Sequence, residues 1–434
     1  MDIIYGLLMI IGFCFLAALG LPIPFAFLVP MLIGFIFVGG LPALGTAASQ
    51  AISVTDSFIM LALPMFMLMG ELVSRSGVAT DAFDTMELWL KRIPGGLIIS
   101  NIFGCAILAS CTGSSVATAL IMAKASLPRL VPRGYDKRLL AGVLGGTSIG
   151  LIIPPSSGFI IYGLLTDASI GRLFMAGLSV GSFMVALFTV FIIIRVALNP
   201  SLAPPITEDV TWAKRIQALK YFWPFPLIIG GVLGSIYGGV ATPVEASVLG
   251  VVAVIVVSLV RGTLTWQIMK ESFLGTARAA SWLLLILYVG LTFGNLITYL
   301  GVTSSLDNLL KMTQMSPIVI VLGMCFLVIV LGCFLEGATI MILTMPIFAP
   351  IVQSLGFDLI WFGVMIMITM EIGLITPPVG LTCYILASVM EPYGITLEQI
   401  FKANLVYVLL MTLTIVILYF FPDLALWLPN RMIN

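Results

Sequence analysis

Two short clusters of small and hydroxyl-bearing residues, Thr112–Ser115 and Glu336–Thr339, have the composition of a cation site. Hydroxyl and carbonyl oxygens are hard ligands, and a sodium ion takes several of them in place of its water shell. Each cluster precedes an apolar stretch with a double proline, and we expect the two to meet. The sequence therefore predicts two Na⁺ sites. The predicted ligands are Thr112, Gly113, Ser114, Ser115, Thr147, Ser148, Gly150 and Pro154 in the first half, and Glu336, Gly337, Ala338, Thr339, Gly373, Thr376 and Pro377 in the second.

The two double prolines lie in nearly identical heptapeptides, "IGLIIPP" at 149–155 and "IGLITPP" at 372–378. Proline cannot donate a backbone hydrogen bond, and it disfavours helical geometry in the residue before it. Lipid cannot satisfy the backbone groups that an unwound turn frees, so such a turn must be buried in protein or line a wet cavity. The heptapeptides predict broken helices at a binding site. The alternatives are a structural kink and, for the hydroxyl clusters, close packing between helices.

Composition defines the elements that must position these residues. Hydrophobic residues make up 61% and charged residues 9% of the 434 residues. Apolar runs of about 17–25 residues recur along the chain, which is typical of membrane-spanning helices. The sequence therefore predicts an all-α, polytopic membrane protein with the lipid bilayer as a partner. It predicts no nucleic acid partner.

Histidine is absent from the sequence. This absence removes the commonest general base and metal ligand, so Ser-His hydrolysis and histidine-ligated metal catalysis are excluded. No nucleophile–base pair can be assembled from the remaining residues. The sequence predicts a protein that is not an enzyme and that uses no cofactor, with Na⁺ only as a coupling ion.

Matching segments recur at one offset along the chain. "MGELVSRSGV" (69–78) aligns with "FGNLITYLGV" (293–302), and "CTGSSVAT" (111–118) aligns with "LEGATIMI" (335–342), both 224 residues apart. A constant offset predicts a duplicated unit. The predicted division is a first repeat at 1–200, with a re-entrant hairpin at 95–130 and a broken helix at 138–165; a cytoplasmic linker at 201–215; and a second repeat at 216–434, with a hairpin at 317–352 and a broken helix at 358–390.

Lys124 indicates how deep the first cluster lies. It follows Ser115 by nine residues, about 13 Å of helix, which is half the hydrocarbon thickness. If Lys124 reaches the cytoplasmic surface, the cluster is the tip of a re-entrant hairpin inside the membrane. A hairpin of two fully spanning helices is the alternative.

The basic residues predict the orientation of the chain. When the spans are followed in order, 16 of the 19 Lys and Arg residues fall on one side, which the positive-inside rule makes cytoplasmic. Both termini then lie outside the cytoplasm, and the two units are inverted repeats. Broken helices at matching places in inverted halves are typical of a transporter binding site near the midplane. A substrate is predicted near Ser115, Ser156, Thr339 and Val379.

A few acidic residues at membrane depth need an explanation, because such residues are functional suspects. Glu336 lies in the second cluster, and Glu371 lies two residues before Gly373. Glu71 precedes Arg75 by four residues, which favours an ion pair within one helix. Glu245 follows Pro243 at a helix start, where a structural and a functional role are both open. The amphipathic segments 78–93 and 265–280 are predicted to be interfacial helices, with a bracing role as one alternative.

These motifs together resemble one family. The "GSS" tip, "IGLIIPP", "ITPPVG" (375–380), "GGVATPVEA" (238–246) and "LEGAT" (335–339) resemble the large membrane subunit of tripartite ATP-independent periplasmic (TRAP) transporters, of the DctM type. The resemblance implies a bacterial inner-membrane transporter that is driven by a Na⁺ gradient and moves a transport domain on a scaffold like an elevator. It also implies a small four-helix membrane partner and a periplasmic binding protein. The substrates it implies are organic acid anions, such as C4-dicarboxylates or sialic acids.

Two other classes remain open beside this resemblance. A self-sufficient Na⁺/organic-anion symporter of the same inverted-repeat design would have the same sequence features. A channel is less favoured, because no ring of charges or repeated filter sequence is present.

Overall fold

The computed structural model describes residues 2–55, 58–146, 149–204, 211–312 and 314–432, and all regular secondary structure in these ranges is helical. Within them, six helices are long and apolar enough to cross a membrane, or seven if one bent pair is taken as a single span. The predicted all-α, polytopic membrane class is therefore confirmed.

In the first half of the chain, the described residues form ten α-helices. Their bounds are α1 Asp2–Ala18, α2 Ile23–Gly39, α3 Ala43–Thr55, α4 Ala62–Arg75, α5 Val78–Leu90, α6 Gly96–Thr112, α7 Ser115–Leu130, α8 Lys137–Gly146, α9 Ser157–Thr166 and α10 Ile170–Leu198. A short 3-10 turn at Phe58–Leu61 leads into α4, and another at Pro200–Leu202 follows α10. Part of the predicted linker, 205–210, lies outside the described residues.

In the second half, the described residues form eleven α-helices. Their bounds are α11 Trp212–Phe222, α12 Pro224–Tyr237, α13 Pro243–Val260, α14 Trp266–Tyr299, α15 Val302–Met312, α16 Pro317–Gly332, α17 Gly337–Ser354, α18 Leu359–Ile375, α19 Leu381–Met390, α20 Leu397–Phe420 and α21 Asp423–Leu426, with 3-10 turns at Glu391–Tyr393 and Pro429–Arg431. Helices α4 and α14 end 224 residues apart, and α5 and α15 begin 224 residues apart. The inverted orientation of the two units stays a prediction.

One element differs from the sequence interpretation. The segment 265–280, predicted as a separate interfacial helix, is the first part of α14, which runs without a break to Tyr299 over 34 residues. A helix of this length extends for about 51 Å, more than the thickness of a bilayer. No proline or glycine pair interrupts it, so the amphipathic segment continues the apolar span directly.

Helix α5, the other predicted interfacial segment, packs against α6 and α11. Its carboxylates form ion pairs with two neighbouring elements: Asp84 with Arg129 of α7 at 2.8 Å, and Asp81 with Arg261 after α13. The first pair is exposed and contributes little stability, and the second is partly buried. They connect α5 to α7 of the hairpin α6–α7 on one side and to Arg261 after α13 on the other. This arrangement is the one expected of a brace.

Two pairs of helices form hairpins, and each hairpin has a short non-helical tip. Helices α6 and α7 are joined at Gly113, whose φ of 61° lies in the left-handed region that favours glycine. Ser114 then caps α7, because its side chain accepts a hydrogen bond from the amide of Ala117. Helices α16 and α17 form the second hairpin, with the tip at residues 333–336. Whether either hairpin is re-entrant stays a prediction.

Both double-proline segments are helix breaks. Residues 149–156 are not helical and lie between α8 and α9, and residues 376–380 are not helical and lie between α18 and α19. The peptide bonds Pro154–Pro155 and Pro377–Pro378 are both cis. The breaks fall where the sequence places them, because proline removes a backbone donor at each one.

Helices from the two halves of the chain pack against each other around the breaks. Helix α7 of the first hairpin packs against α19, which follows the second break, and α17 of the second hairpin packs against α9, which follows the first break. Helix α18 lies at the centre of this group, and every residue from Ile360 to Ile375 is buried. A helix that is apolar on all sides is typical of such a central position.

Candidate functional site

One cavity of about 300 Å³ collects residues from both hairpin tips and from both interrupted helices. The first tip and the first break contribute one wall, and the second tip with the flanks of the second break contribute the other. Its lining consists of Gly113, Ser114, Ser115, Val116, Ala117, Leu151, Ser157, Gly158, Ile161, Leu283, Glu336, Gly337, Ala338, Met341, Leu374 and Leu381.

The first tip is held directly against the first break. The hydroxyl of Ser157 donates a 2.6 Å hydrogen bond to the carbonyl oxygen of Gly113. A Cβ atom added at Gly150 would lie 2.8 Å from the Cα atom of Ser115. Only glycine permits this approach of one backbone to another. The predicted meeting of Ser115 with Gly150 is therefore present in the structure.

Glu371 of α18 joins this contact from the second half of the chain. Its Oε1 atom accepts a hydrogen bond from the hydroxyl of Ser115 and a 2.9 Å hydrogen bond from the amide of Leu151. The residue is fully buried, and its Oε2 atom has no hydrogen-bond partner among the described residues. One carboxylate thus contacts both the first tip and the first break.

The second tip presents a carboxylate and a hydroxyl. Glu336 precedes the first residue of α17, makes no capping hydrogen bond, and is accessible from the cavity. Thr339, one turn further along, is fully buried, and its hydroxyl has no partner among the described residues. Buried polar atoms are normally hydrogen-bonded, so each exception in a native structure requires an explanation.

The second break is packed against the second hairpin through backbone contacts. A Cβ atom added at Gly373 would lie 2.7 Å from the Cα atom of Gly332. The amide of Gly380 donates to the carbonyl oxygen of Cys333 at 3.2 Å, and the Cys333 thiol donates to that of Pro377 at 3.3 Å. Helices α16 and α18 therefore touch at two glycines, which is the use of small residues expected in membrane proteins.

The structure brings most of the predicted residues to this region. Gly113, Ser114, Ser115, Glu336, Gly337 and Ala338 line the cavity, and Thr112 lines an adjoining one. Pro154 is buried within the first break, whereas Pro377 is exposed. Thr376 donates a 2.5 Å hydrogen bond to the carbonyl oxygen of Ile372. Thr147 and Ser148 lie outside the described residues.

The residues predicted near a substrate differ in their access to the cavity. Ser115 lines the cavity, Ser156 and Thr339 are fully buried, and Val379 is half-buried in the second break. The sequence interpretation left Glu371 out of both ligand sets. The signal that identifies it is a single carboxylate in an otherwise apolar helix, and this signal gives no indication of which tip it contacts.

A second cavity of about 380 Å³ adjoins the first and shares five lining residues with it: Ser114, Ala117, Ser157, Leu283 and Glu336. It extends between α4 and α14 as far as Glu71. There Arg75 binds Glu71 and Glu271, both at 2.8 Å, which confirms the predicted pair within α4. Together the two cavities lead from the tips toward the Arg75 end of α4.

Glu245, whose role the sequence left open, is structural. Its side chain accepts a hydrogen bond from the amide of Thr242 at 2.8 Å, and the Thr242 hydroxyl accepts one from the amide of Glu245 at 3.3 Å. This reciprocal pair is a capping box at the start of α13. Glu245 does not line the cavity between the tips.

A helical membrane bundle with two hairpin tips and two interrupted helices around one cavity defines a membrane transport protein. The chain belongs to the family of the tripartite ATP-independent periplasmic transporter, DctM component, whose model matches residues 10–424. The family that the motifs resembled is thereby confirmed, and so is the multi-pass membrane character of the chain.

Curated relatives cover nearly the whole chain. The C4-dicarboxylate TRAP transporter large permease protein DctM of Rhodobacter capsulatus is 30% identical and covers 99% of both chains. The ectoine/5-hydroxyectoine TRAP transporter large permease protein UehC of Ruegeria pomeroyi is 29% identical and covers 96% of both. These relatives are permease subunits and not enzymes, and the substrates in their names differ.

Two solved transporter structures share the fold. The YdaH transporter of Alcanivorax borkumensis matches with a TM-score of 0.68 over 98% of both chains, at 13% identity. MtrF of Neisseria gonorrhoeae matches with a TM-score of 0.58 over 94% of both chains, also at 13% identity. At this identity the likeness concerns the fold alone.

Proposed function

We propose that this chain carries an organic acid across the bacterial inner membrane by Na⁺-coupled symport. Both tips, the first break and the flanks of the second break line one cavity, and this observation carries the proposal. The two hairpins and the two broken helices form the moving carrier, and α1–α4 with α12–α14 form the scaffold. The partners are a small four-helix membrane subunit and a periplasmic binding protein, and both termini of the chain are periplasmic.

The residues around the tips fit a sodium ion. The orphaned, buried hydroxyl of Thr339 is a hard oxygen ligand in the second half. Residues 149–156 and 376–380 belong to no helix. Five of their carbonyl groups already accept hydrogen bonds, those of Ile149, Leu151, Ser156, Pro377 and Gly380, and the others are the proposed cation ligands. Gly113–Ser115 with Gly150–Pro154 would hold one ion, and Glu336–Thr339 with Gly373–Pro377 the other.

Coupling follows from this geometry. A cation bound between a tip and a break favours the arrangement in which the two lie together. A substrate in the cavity touches the same tips, so each ligand stabilises the arrangement that the other requires, and this mutual effect is a coupling free energy. The carrier then moves with both ligands bound.

Reconstitution tests this function. In proteoliposomes we expect the lone chain to take up no organic acid, and we expect uptake when the small subunit, the binding protein and an inward Na⁺ gradient are added. A K⁺ gradient of equal size is the control for the coupling ion. Full uptake by the lone chain would instead identify a self-sufficient Na⁺/organic-anion symporter.

The charges of the cavities favour a second candidate for the substrate. The charged side chains that line the two adjoining cavities are Glu336 and Glu71, and no Lys or Arg of the described residues lines either. Trp282, which is 45% exposed, adds an aromatic face suited to a cation. A zwitterion such as ectoine, which carries a carboxylate and a cationic amidinium, suits this lining better than a dicarboxylate.

Replacing Glu336 by glutamine distinguishes the two candidates. We expect ectoine, and not succinate, to raise the melting temperature of the purified permease in Na⁺. We expect Glu336→Gln to weaken the affinity for ectoine roughly 10- to 150-fold, because a hydrogen bond to a charged group is lost. Glu245→Gln, which retains a capping residue on α13, is the matched control. Stabilisation by succinate in both variants would select the C4-dicarboxylate.

A further inference from the structure

Glu371 is the one described carboxylate that is fully buried in this protein. It lies on α18, where every neighbour from Ile360 to Ile375 is also buried. An ionised carboxylate in such a place is costly unless a positive charge or several hydrogen bonds compensate it. Acidic residues at membrane depth are retained when they serve ions or substrates.

No basic side chain among the described residues compensates the charge of Glu371. None of the salt bridges between described residues includes it. Its Oε1 atom has two donors, the Ser115 hydroxyl and the Leu151 amide, but Oε2 has no partner. A cation beside Oε2 would satisfy it in the ionised form.

The position of Glu371 indicates which cation site it serves. Oε1 contacts Ser115 of the first tip and Leu151 of the first break, the two segments proposed to hold one sodium ion. Oε2 is bonded to the same carboxylate carbon atom as Oε1, so the two oxygen atoms are neighbours. The free oxygen is therefore at the same junction of tip and break.

We propose that Glu371 is a direct carboxylate ligand of the monovalent cation at the first tip, contributed by the opposite half of the chain. This inference rests on the proposed Na⁺ coupling and adds the negative charge that the hydroxyls and carbonyls of the first half do not provide. Helix α18 continues into the second break at residue 376, so the ligand connects the first ion to the second break. Occupancy of one site is thereby transmitted to the other.

The substitution Glu371→Gln separates this role from a structural one. Glutamine keeps the volume and an oxygen that accepts from Ser115 and Leu151, and it removes the charge. We expect half-saturation of ²²Na⁺ binding to the purified permease with its small subunit to rise roughly 10- to 150-fold, by the cost of losing a contact to a charged group. Without Na⁺, we expect the melting temperature to be equal to or above that of the wild type, because no uncompensated charge is buried.

A structural role predicts the opposite pattern: a lower melting temperature without Na⁺ and unchanged ²²Na⁺ binding, and this result overturns the proposal. Glu245→Gln on α13 is the matched control and is expected to bind Na⁺ like the wild type.

Glu371→Asp and Glu371→Asn provide a second pair of variants with side chains of equal size. Tighter Na⁺ binding by Glu371→Asp than by Glu371→Asn supports the proposal, and equal binding contradicts it. If the wild type binds no Na⁺, the proposed coupling itself is refuted. If the wild type binds Na⁺ and Glu371→Gln binds it equally tightly, only the inference about Glu371 is refuted.

Discussion

Gly373→Ala is expected to abolish transport and to reduce the amount of folded protein several-fold. The added Cβ atom would lie 2.7 Å from the Cα atom of Gly332 and 2.9 Å from the carbonyl oxygen of Ile329, and both are backbone atoms of α16 that cannot rotate away. Overpacking of this kind costs about 1–3 kcal/mol, and more where backbone must move. Separating α16 from α18 would also displace the second break from the second tip.

A matched substitution on α16 controls for the effect of alanine itself. Gly323 lies on the same helix, and a Cβ atom added there meets nothing within 4 Å. Gly323→Ala should leave folding and transport unchanged, or raise stability slightly through helix propensity. Size-exclusion profiles and melting temperatures of the two variants check the prediction. Equal behaviour of both would show that the contact between Gly332 and Gly373 is dispensable.

Ser115→Ala and Thr339→Ala are expected to weaken Na⁺ dependence strongly while the protein stays folded. Each removes one proposed oxygen ligand, or its support, at a cost of about 1–3 kcal/mol, so half-saturation by Na⁺ should rise roughly 5- to 150-fold. The Thr339 hydroxyl has no protein partner among the described residues, so its removal should cost little stability. Uptake against Na⁺ concentration, together with the melting temperature of each variant, measures both quantities.

Two hydroxyls on the same helices serve as controls. Ser126 of α7 donates to the carbonyl oxygen of Met122 at 2.6 Å, and Thr344 of α17 donates to that of Ile340 at 2.7 Å. Both are buried, and both bond only within their own helix. Ser126→Ala and Thr344→Ala should leave the Na⁺ curve unshifted. If Ser115→Ala and Thr339→Ala also leave the Na⁺ curve unshifted, the hydroxyls of Ser115 and Thr339 serve packing alone.

The class of the protein and the position of each break could be derived from the sequence. Apolar length determines which segments span a membrane, and a double proline interrupts a helix wherever it occurs, so these features depend on local chemistry. The first break between α8 and α9 and the second between α18 and α19 lie at the predicted heptapeptides. The left-handed tip at Gly113 has the same local origin, because glycine adopts this conformation without strain.

Contacts between distant helices depended on the tertiary structure. The hydrogen bond from Ser115 to Glu371 joins residues 256 positions apart, and nothing near either residue specifies the rotation of α18 that brings them together. Similarly, the packing of α7 against α19 and of α17 against α9 crosses between the halves, in addition to the predicted contact of each tip with the break of its own half. Such pairings arise from the packing of whole helices, in which each side chain's partner is set by all the others. Sequence therefore determined the type of protein and its interrupted elements, and packing decided which carboxylate faces which tip.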